Sequence, residues 1–533
     1  MGGVSETFEA PHSTVRAPRH LVATADHLAT SAGNEMFDRG GNAVDAAIAA
    51  NAAIAVTGPH LCGMGGDLFA LVYVDGEVAA LNASGRAGSG ADPAVLRSEG
   101  RSTMPFRGDI RSVTVPGCID GWVALHDRFG SLPLAEILEP AQRLAADGFP
   151  ASPLLVGSTH RLEPAGREEL SELVEQATRP GARVRRPGAA LALAAIGAGG
   201  RDAFYQGAFG EGLIELGNGW FSDDDLATSS ADWVVPLSTD ALGVTLHTIA
   251  PNSQGYLTLG GARLADQLDL PTAPHDPAWA HLLIEAAVAA GRDRPDQLHD
   301  RADGNALLAL IDERIGEIDP NATSGRHLHS AGGDTTYLCT AGFTRDGSPM
   351  AVSLIQSNAS GFGAHLVEPS TGINLHNRGL GFNLIDGHPA ELTPRRRPPH
   401  TLAPALATRD GEFAAVFGTM GGDAQPQILL QVATRLFHYR QSPGQAIRAG
   451  RWALRGPETG FDTWTSAGRP GIDIEGHASE EWGDGLKAFG HRPNMALPWD
   501  VGFGHAHAIT LARDEMFAGA ADPRTRVGSC AGG

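Results

Sequence analysis

The residues best suited to chemistry lie in Gly332-Gly333-Asp334-Thr335-Thr336, ahead of the apolar run Tyr337-Leu338-Cys339. A threonine at the start of a buried strand can attack the carbonyl before it, here that of Asp334. The chain breaks there, and the freed α-amine of Thr335 becomes the base for its own hydroxyl. Glycines ahead of the acid permit the backbone geometry that such an attack requires. The same residues also describe a plain turn into a β-former. A second pattern, Gly418-Thr419-Met420-Gly421-Gly422-Asp423, joins a strand at 413–417 to a helix over about 426–437. Glycine N–H groups just ahead of a helix sit at the positive end of its dipole and suit the oxyanion of acyl transfer. A tight strand-to-helix turn is the other reading.

These groups need elements to position them. The spacing predicts a hairpin whose first strand begins at Thr335, with a turn at Arg345-Asp346-Gly347-Ser348 and a return strand at 350–355. Upstream, a short strand at 21–23 precedes a helix over 27–38. Asn42 caps a second helix over 43–56, so small and apolar that it must be buried. Gly63-Met64-Gly65-Gly66-Asp67 leads into a strand at 68–74, paired with 78–81. A phosphate loop runs strand, glycines, helix; here the order is reversed, which excludes a nucleotide site. Further helices follow Val115-Pro116-Gly117 and Pro133-Leu134, and 150–325 alternates Ala-rich helical segments with Pro/Gly breaks. Pro251-Asn252-Ser253-Gln254-Gly255 stands out as a polar loop before a helix at 257–268, with an ordinary helix-capping turn as the other reading. The polar stretch 323–334 is expected to be exposed, as suits a segment severed from the strand behind it.

A chain of 533 residues can bury a large core. Its formal charge of −21 argues against nucleic acid or anionic lipid as partners. No run of about 18 apolar residues offers a membrane span. Four scattered cysteines, Cys62, Cys118, Cys339 and Cys530, lack the spacing of a zinc site or a disulfide framework. Residues 1–19 carry no apolar core of a signal peptide, so a cytoplasmic location is expected. His505-Ala506-His507 puts two imidazoles on one strand face without a visible third ligand, and reads as structural. Arg395-Arg396-Arg397 reads as a solvated loop, and Asp522-Pro523-Arg524 as a tie for the C-terminus.

Eight collinear stretches carry a resemblance: Gly40-Gly41-Asn42-Ala43-Val44-Asp45-Ala46-Ala47, Leu61-Cys62-Gly63-Met64-Gly65-Gly66-Asp67, Arg128-Phe129-Gly130-Ser131-Leu132-Pro133-Leu134, Thr335-Thr336, Leu375-His376-Asn377-Arg378, Arg397-Pro398-Pro399-His400-Thr401, Met420-Gly421-Gly422-Asp423 and Ala521-Asp522-Pro523-Arg524. Together the chain resembles the γ-glutamyltranspeptidase family of N-terminal-nucleophile hydrolases. It is most similar to a divergent bacterial branch that carries cephalosporin-acylase and oxamate-amidohydrolase labels. The resemblance implies an α+β fold, a four-layer αββα sandwich. It implies one precursor cut between Asp334 and Thr335 into a large piece, 1–334, and a small piece, 335–533. The two would form an intertwined heterodimer, with pairing into a larger oligomer left open. Thr335 matches the nucleophile, and Gly421 and Gly422 match the oxyanion-hole glycines. Thr336, with Ser357 or Asn358, would orient substrate. No cofactor and no catalytic metal are implied.

Departures from the family pattern bear on substrate. The position of a carboxylate-binding arginine falls at Pro93, with Arg86 nearby. An acidic pair that holds the substrate α-amino group becomes Leu380-Gly381. A Ser-Ser pair becomes His400-Thr401, a threonine supporting the nucleophile becomes Ile355, and a glutamine becomes Arg378. An ammonium without a carboxylate partner is poorly held in a buried site. The expected substrate is therefore a small acidic amide rather than glutathione, with water or an amine as acceptor. Arg378, His400 and Thr401 would then meet its carboxylate; the alternative is that Arg378 pairs with a local acid. Two other functions stay open: γ-glutamyl transfer or hydrolysis of glutathione-type donors, and a catalytically silent binding or scaffold homologue.

Overall fold

The computed structural model describes residues 14–325, 335–455, 471–512 and 514–533. Asp334 and the rest of 326–334 lie outside the described residues, so the expectation about the scissile bond concerns Thr335 alone here.

Among the described residues, fourteen strands build two sheets. They are β1 (Val15–Ala17), β2 (His20–Thr24), β3 (Asp67–Val74), β4 (Glu77–Ala83), β5 (Asp232–Val234), β6 (Leu237–Ala241), β7 (Val244–Thr248), β8 (Thr336–Phe343), β9 (Pro349–Ser357), β10 (Ala405–Arg409), β11 (Glu412–Thr419), β12 (Ala506–Leu511), β13 (Phe517–Ala520) and β14 (Ser529–Ala531). One sheet runs β14-β2-β8-β9-β3-β4-β5, the other β1-β13-β12-β11-β10-β7-β6. The expected hairpin is β8–β9, with Tyr337 opposite Ile355 and Thr336 opposite Gln356. It sits in the middle of its sheet, between β2 and β3.

Side chains alternate along a strand, so each sheet has two faces to cover. Tyr337, Cys339 and Ala341 of β8 join Phe69, Leu71, Ile355, Leu406, Val416 and Ile509 in a core between the sheets. The opposite face of β8 and β9, through Leu338, Val352 and Leu354, joins a second core with α1 (His27–Asp38), α2 (Ala43–Thr57) and α3 (Leu134–Asp147). Ala405, Ala407, Ala415 and Phe417 of the other sheet share a third core with α4 (Tyr256–Gln267), α5 (Pro277–Gly291), α6 (Gln425–Ala433) and α7 (Glu480–Ala488). The layers are helix, sheet, sheet, helix: the αββα sandwich expected from the resemblance.

All fifteen residues of α2 are buried, which its small side chains allow by close approach of neighbouring backbone. Asn42 caps it by accepting from the N–H groups of Val44 and Asp45, while Asp45 accepts from Asn42 N–H. Both sheets draw strands from either side of Thr335, so large and small pieces would interleave in each. The helix expected through 437 runs as α-helix to Ala433 and continues as a wider π turn, Thr434–His438. The reading of Arg395-Arg396-Arg397 as a solvated loop holds for exposed Arg395 and is corrected for the other two. Arg396 holds Asp300 through two nitrogens, and buried Arg397 reaches Asp232, Ser230 O and Ser84 O, acids and carbonyls from distant parts of the chain. Among the described residues no helix is long and apolar enough to cross a membrane. All four cysteines are free.

Candidate active site

Thr335 stands just ahead of β8 and is fully buried. Two-residue alternation gives it the same face as Tyr337, and gives Ser357, at the end of β9, the face of Ile355. The two hydroxyls meet there: Thr335 Oγ1 donates to Ser357 Oγ at 3.0 Å. Ser357 Oγ also accepts from Ala359 N–H at 2.8 Å and from Arg378 Nη2 at 3.4 Å. Arg378 Nη1 continues to Thr401 Oγ1 at 3.2 Å. One guanidinium thus spans from the partner of Thr335 to Thr401.

Behind Arg378 lies Asp67, the first residue of β3, directly after the glycine-rich loop. Its Oδ2 is 3.5 Å from Arg378 Nε, 3.4 Å from His376 Nδ1 and 3.0 Å from His400 Nε2. Its Oδ1 accepts from Gly85 N–H at 2.8 Å. Burial disfavours its charge, yet His376 and His400 beside it hold the carboxyl well below the usual carboxylate range. Burial, reinforced by Arg378, pushes His400 down to about 3, so the ring is neutral near pH 7. Its Nε2–H donates to Asp67 and its Nδ1 accepts from Leu402 N–H at 3.2 Å. Burial pushes Arg378 down to about 10, against the pull of Asp67, leaving it a cation.

This corrects one expectation. Both ring nitrogens of His400 are used inside the protein, so it does not meet a substrate carboxylate. Of the two readings of Arg378, the local acid is present, and it is Asp67. Thr336 lies on the other face of β8, away from Thr335, and its buried hydroxyl finds no partner among the described residues. Asn358 Nδ2 donates to Pro59 O at 3.2 Å and its N–H to Leu61 O at 3.3 Å, which fastens the loop 59–61. Ile355, at the place of the supporting threonine, packs between the sheets. Arg86 pairs with Asp232 at 2.7 Å, and Pro93 opens a short helix, Pro93–Ser98.

Gly421 and Gly422 connect β11 to α6. Gly421 has φ +139° and Gly422 φ +54°, both in the region that favours glycine. Ala424 N–H donates to Gly421 O at 2.9 Å, and Gln254 Nε2 donates to Gly422 O at 3.0 Å. Since a trans peptide points its N–H opposite its carbonyl, these bonds fix where the Gly422 and Asp423 N–H groups aim. Gln254 also donates to Thr401 O at 2.8 Å. The loop 251–255 is therefore a brace for the site rather than only a capping turn. Its Asn252 donates to Pro398 O at 2.7 Å, and Asn252 O accepts from His400 N–H. Asp423 pairs with Arg294 at 3.0 Å.

A cavity of about 330 Å3 opens beside Thr401. Met104, Phe106, Leu298, Leu380 and Phe382 give it an apolar wall, and Arg294 supplies a cation. No carboxylate lines it among the described residues, and Leu380 and Gly381 stand on the wall. Sequence reasoning missed Asp67, Arg294 and Gln254. The repeat of Gly-Gly-Asp at 65–67 and 421–423 was the available signal for the first. Gln254 lies in the polar loop 251–255 that stood out in the sequence, and nothing local marks Arg294.

His505 and His507 are both buried, and His507 Nδ1 accepts from Asp522 N–H at 3.1 Å. Asp522 also accepts from Arg451 at 2.7 Å and from Arg524 at 3.0 Å, tying down the chain end as expected.

Two facing antiparallel sheets between helical layers, with a threonine at the head of a central strand, define the sandwich of N-terminal-nucleophile hydrolases. The family model described as Gamma-glutamyltranspeptidase matches residues 29–532, and the chain belongs to that family of hydrolases and transferases. It is 33% identical to the glutathione hydrolase-like YwrD proenzyme of Bacillus subtilis, over 96% of this chain and 98% of that one. It is 32% identical to the oxamate amidohydrolase proenzyme of Klebsiella pneumoniae, over 98% and 100%. The crystal structure of cephalosporin acylase from Bacillus halodurans superposes with a TM-score of 0.87 at 30% identity, covering 100% of this chain and 99% of that one.

Proposed function

We propose that the protein is a self-processed amidohydrolase in which Thr335, freed as an N-terminus, forms an acyl-enzyme with a small acidic amide. One observation carries this: the Thr335 hydroxyl at the head of β8 is held by Ser357, which Arg378 links to Thr401 on the wall of a cavity that also presents Arg294, the partner of Asp423, and among the described residues no carboxylate. Thr335 Oγ1 attacks the amide carbonyl. Its α-amine takes the hydroxyl proton and passes it to the leaving amine. The N–H groups of the Gly421–Gly422 turn hold the oxyanion, and water then releases the acid. Ser357 fixes the nucleophile, and Arg378 positions Ser357 and Thr401 rather than binding substrate.

Arg294 and the Thr401 hydroxyl would meet the carboxylate of the acid, while its body lies on Met104, Phe106 and Leu380. An α-ammonium of a glutamyl donor would find no acid on this wall. The Klebsiella relative, named for hydrolysis of an amide, agrees with this reading.

The test is denaturing electrophoresis with N-terminal sequencing of wild type and Thr335→Ala. Wild type should give pieces of roughly 35 and 21 kDa, proportional shares of 55.5 kDa, the smaller beginning Thr-Thr-Tyr. The variant should stay whole and lose hydrolysis. A wild-type chain that remains whole over days would sink the nucleophile assignment. A donor panel tests the substrate: faster turnover of a γ-glutamyl anilide, stimulated by glycylglycine, would overturn the acidic-amide reading.

A further inference from the structure

Helix α5 carries His281 and Glu285 one turn apart on the same side. His491, just beyond α7, closes on both. All three are buried, and their ligand-type atoms lie within 4.8 Å of one another. His281 Nδ1 is 2.8 Å from His491 Nε2, and Glu285 Oε1 is 3.9 Å from the same nitrogen.

Two of the three side chains, His281 and Glu285, are oriented from behind. The Asp319 carbonyl accepts from His281 Nε2 at 2.9 Å. That places the proton on Nε2 and turns the Nδ1 lone pair toward the cluster. The His281 ring stacks on Phe489, centroids 4.3 Å apart. Glu285 Oε1 accepts from the Thr323 hydroxyl at 2.8 Å, and Oε2 from Ser324 N–H at 3.1 Å. Outer hydrogen bonds of this kind fix the tautomer and direction of metal ligands.

We propose that His281 Nδ1, Glu285 and His491 Nε2 form a site for one divalent transition metal of the zinc class. Two imidazoles and a carboxylate suit a borderline cation rather than calcium or magnesium, which take oxygen. Bonds of about 2.0–2.1 Å to a tetrahedral ion set the two nitrogens about 3.3 Å apart. The rings need to part by about half an ångström. As the metal–nitrogen bond forms, the proton on His491 Nε2 is given up to solvent and one is taken up at Nδ1, so the ligand stays a neutral imidazole. A small cavity lined by Glu285, Arg292, Glu317 and Ser324 adjoins the carboxylate and gives a way in. Thr323 also donates its N–H to Phe489 O at 2.8 Å. The metal therefore locks the end of the segment that leads toward Thr335 onto α5 and α7. Its role is structural and independent of the hydrolytic reading.

The experiment uses full-length protein stripped with a chelator and titrated with cobalt(II) chloride, then with zinc chloride. Wild type should take up one cobalt per chain with visible ligand-field bands, which zinc should bleach. Glu285→Gln and His491→Gln should bind at least about 100-fold more weakly while keeping the wild-type circular dichroism. Zinc should slow amide exchange at Thr323 and Ser324 in wild type, a reading that needs no variant. Equal uptake by wild type and both variants, or a wild type without stoichiometric bands or exchange protection, would overturn the site.

Discussion

In the proposed mechanism Ser357 carries the burden that the family pattern would give to a threonine at Ile355. It stands two residues further along β9, on the same strand face, and reaches Thr335 Oγ1 at 3.0 Å. An intramolecular hydrogen bond of this type contributes about 0.5–1.5 kcal/mol. Ser357→Ala should therefore lower kcat by roughly 10-fold at the upper end of that range, with KM little changed. Steady-state kinetics on the cleaved enzyme would read this, and an unaltered kcat would remove Ser357 from support of the nucleophile. His400 shows the converse. Its residue type suggested a ligand for an anion, but its one N–H donates to Asp67, leaving only its contribution to a buried charge network.

At the scale of elements, the site is made where two Gly-Gly-Asp turns converge. The first places Asp67 at the head of β3 and the second places Asp423 ahead of α6, and each acid is matched by an arginine, Arg378 and Arg294 respectively. Gly421 is the position where backbone geometry matters most. An alanine there would adopt φ +139° and bring its Cβ to 3.2 Å from Ile428 Cδ1. The N–H groups of the turn would then be turned away from the oxyanion, a loss worth roughly 100-fold or more in kcat. Gly421→Ala should show that fall with a folded, cleaved protein. Full activity in the variant would place the oxyanion donors elsewhere.

Over the whole molecule, burial of histidine sets the response to acid. His60, His400 and His507 are pushed down to about 3 and His505 to about 4, each chiefly by burial. In the unfolded chain the same rings titrate near 6.5. Between about pH 6.5 and pH 4 the unfolded state binds protons that the native state refuses, so stability falls as pH falls through that window. Below it, Asp67 and Asp522, both held below their ordinary range, add a further loss as they are protonated. The thermal midpoint should decline steadily from about pH 7 to pH 5. His60 has no hydrogen-bond partner for either ring nitrogen among the described residues. His60→Leu should flatten the decline; a midpoint indifferent to pH over this range in wild type would contradict the account.

The sequence by itself determined the elements and their faces. Two-residue alternation in 335–343 and 349–357, the capping group at Asn42 and the glycine pairs before two aspartates are local properties, and local sterics and burial impose them. Those same patterns carried the family and the sandwich. Only the tertiary structure decided what the polar residues between them touch. Arg378 finds Asp67 from more than three hundred residues away, Gln254 reaches across to Thr401 and Gly422, and Arg294 meets Asp423. Buried polar groups take whichever partner the fold brings within about 3 Å, and no spacing along the chain encodes that choice. Leu380 and Gly381 could be read as departures from a motif, but only their place on the cavity wall, beside Thr401 and Arg294, gives the substitution its chemical meaning.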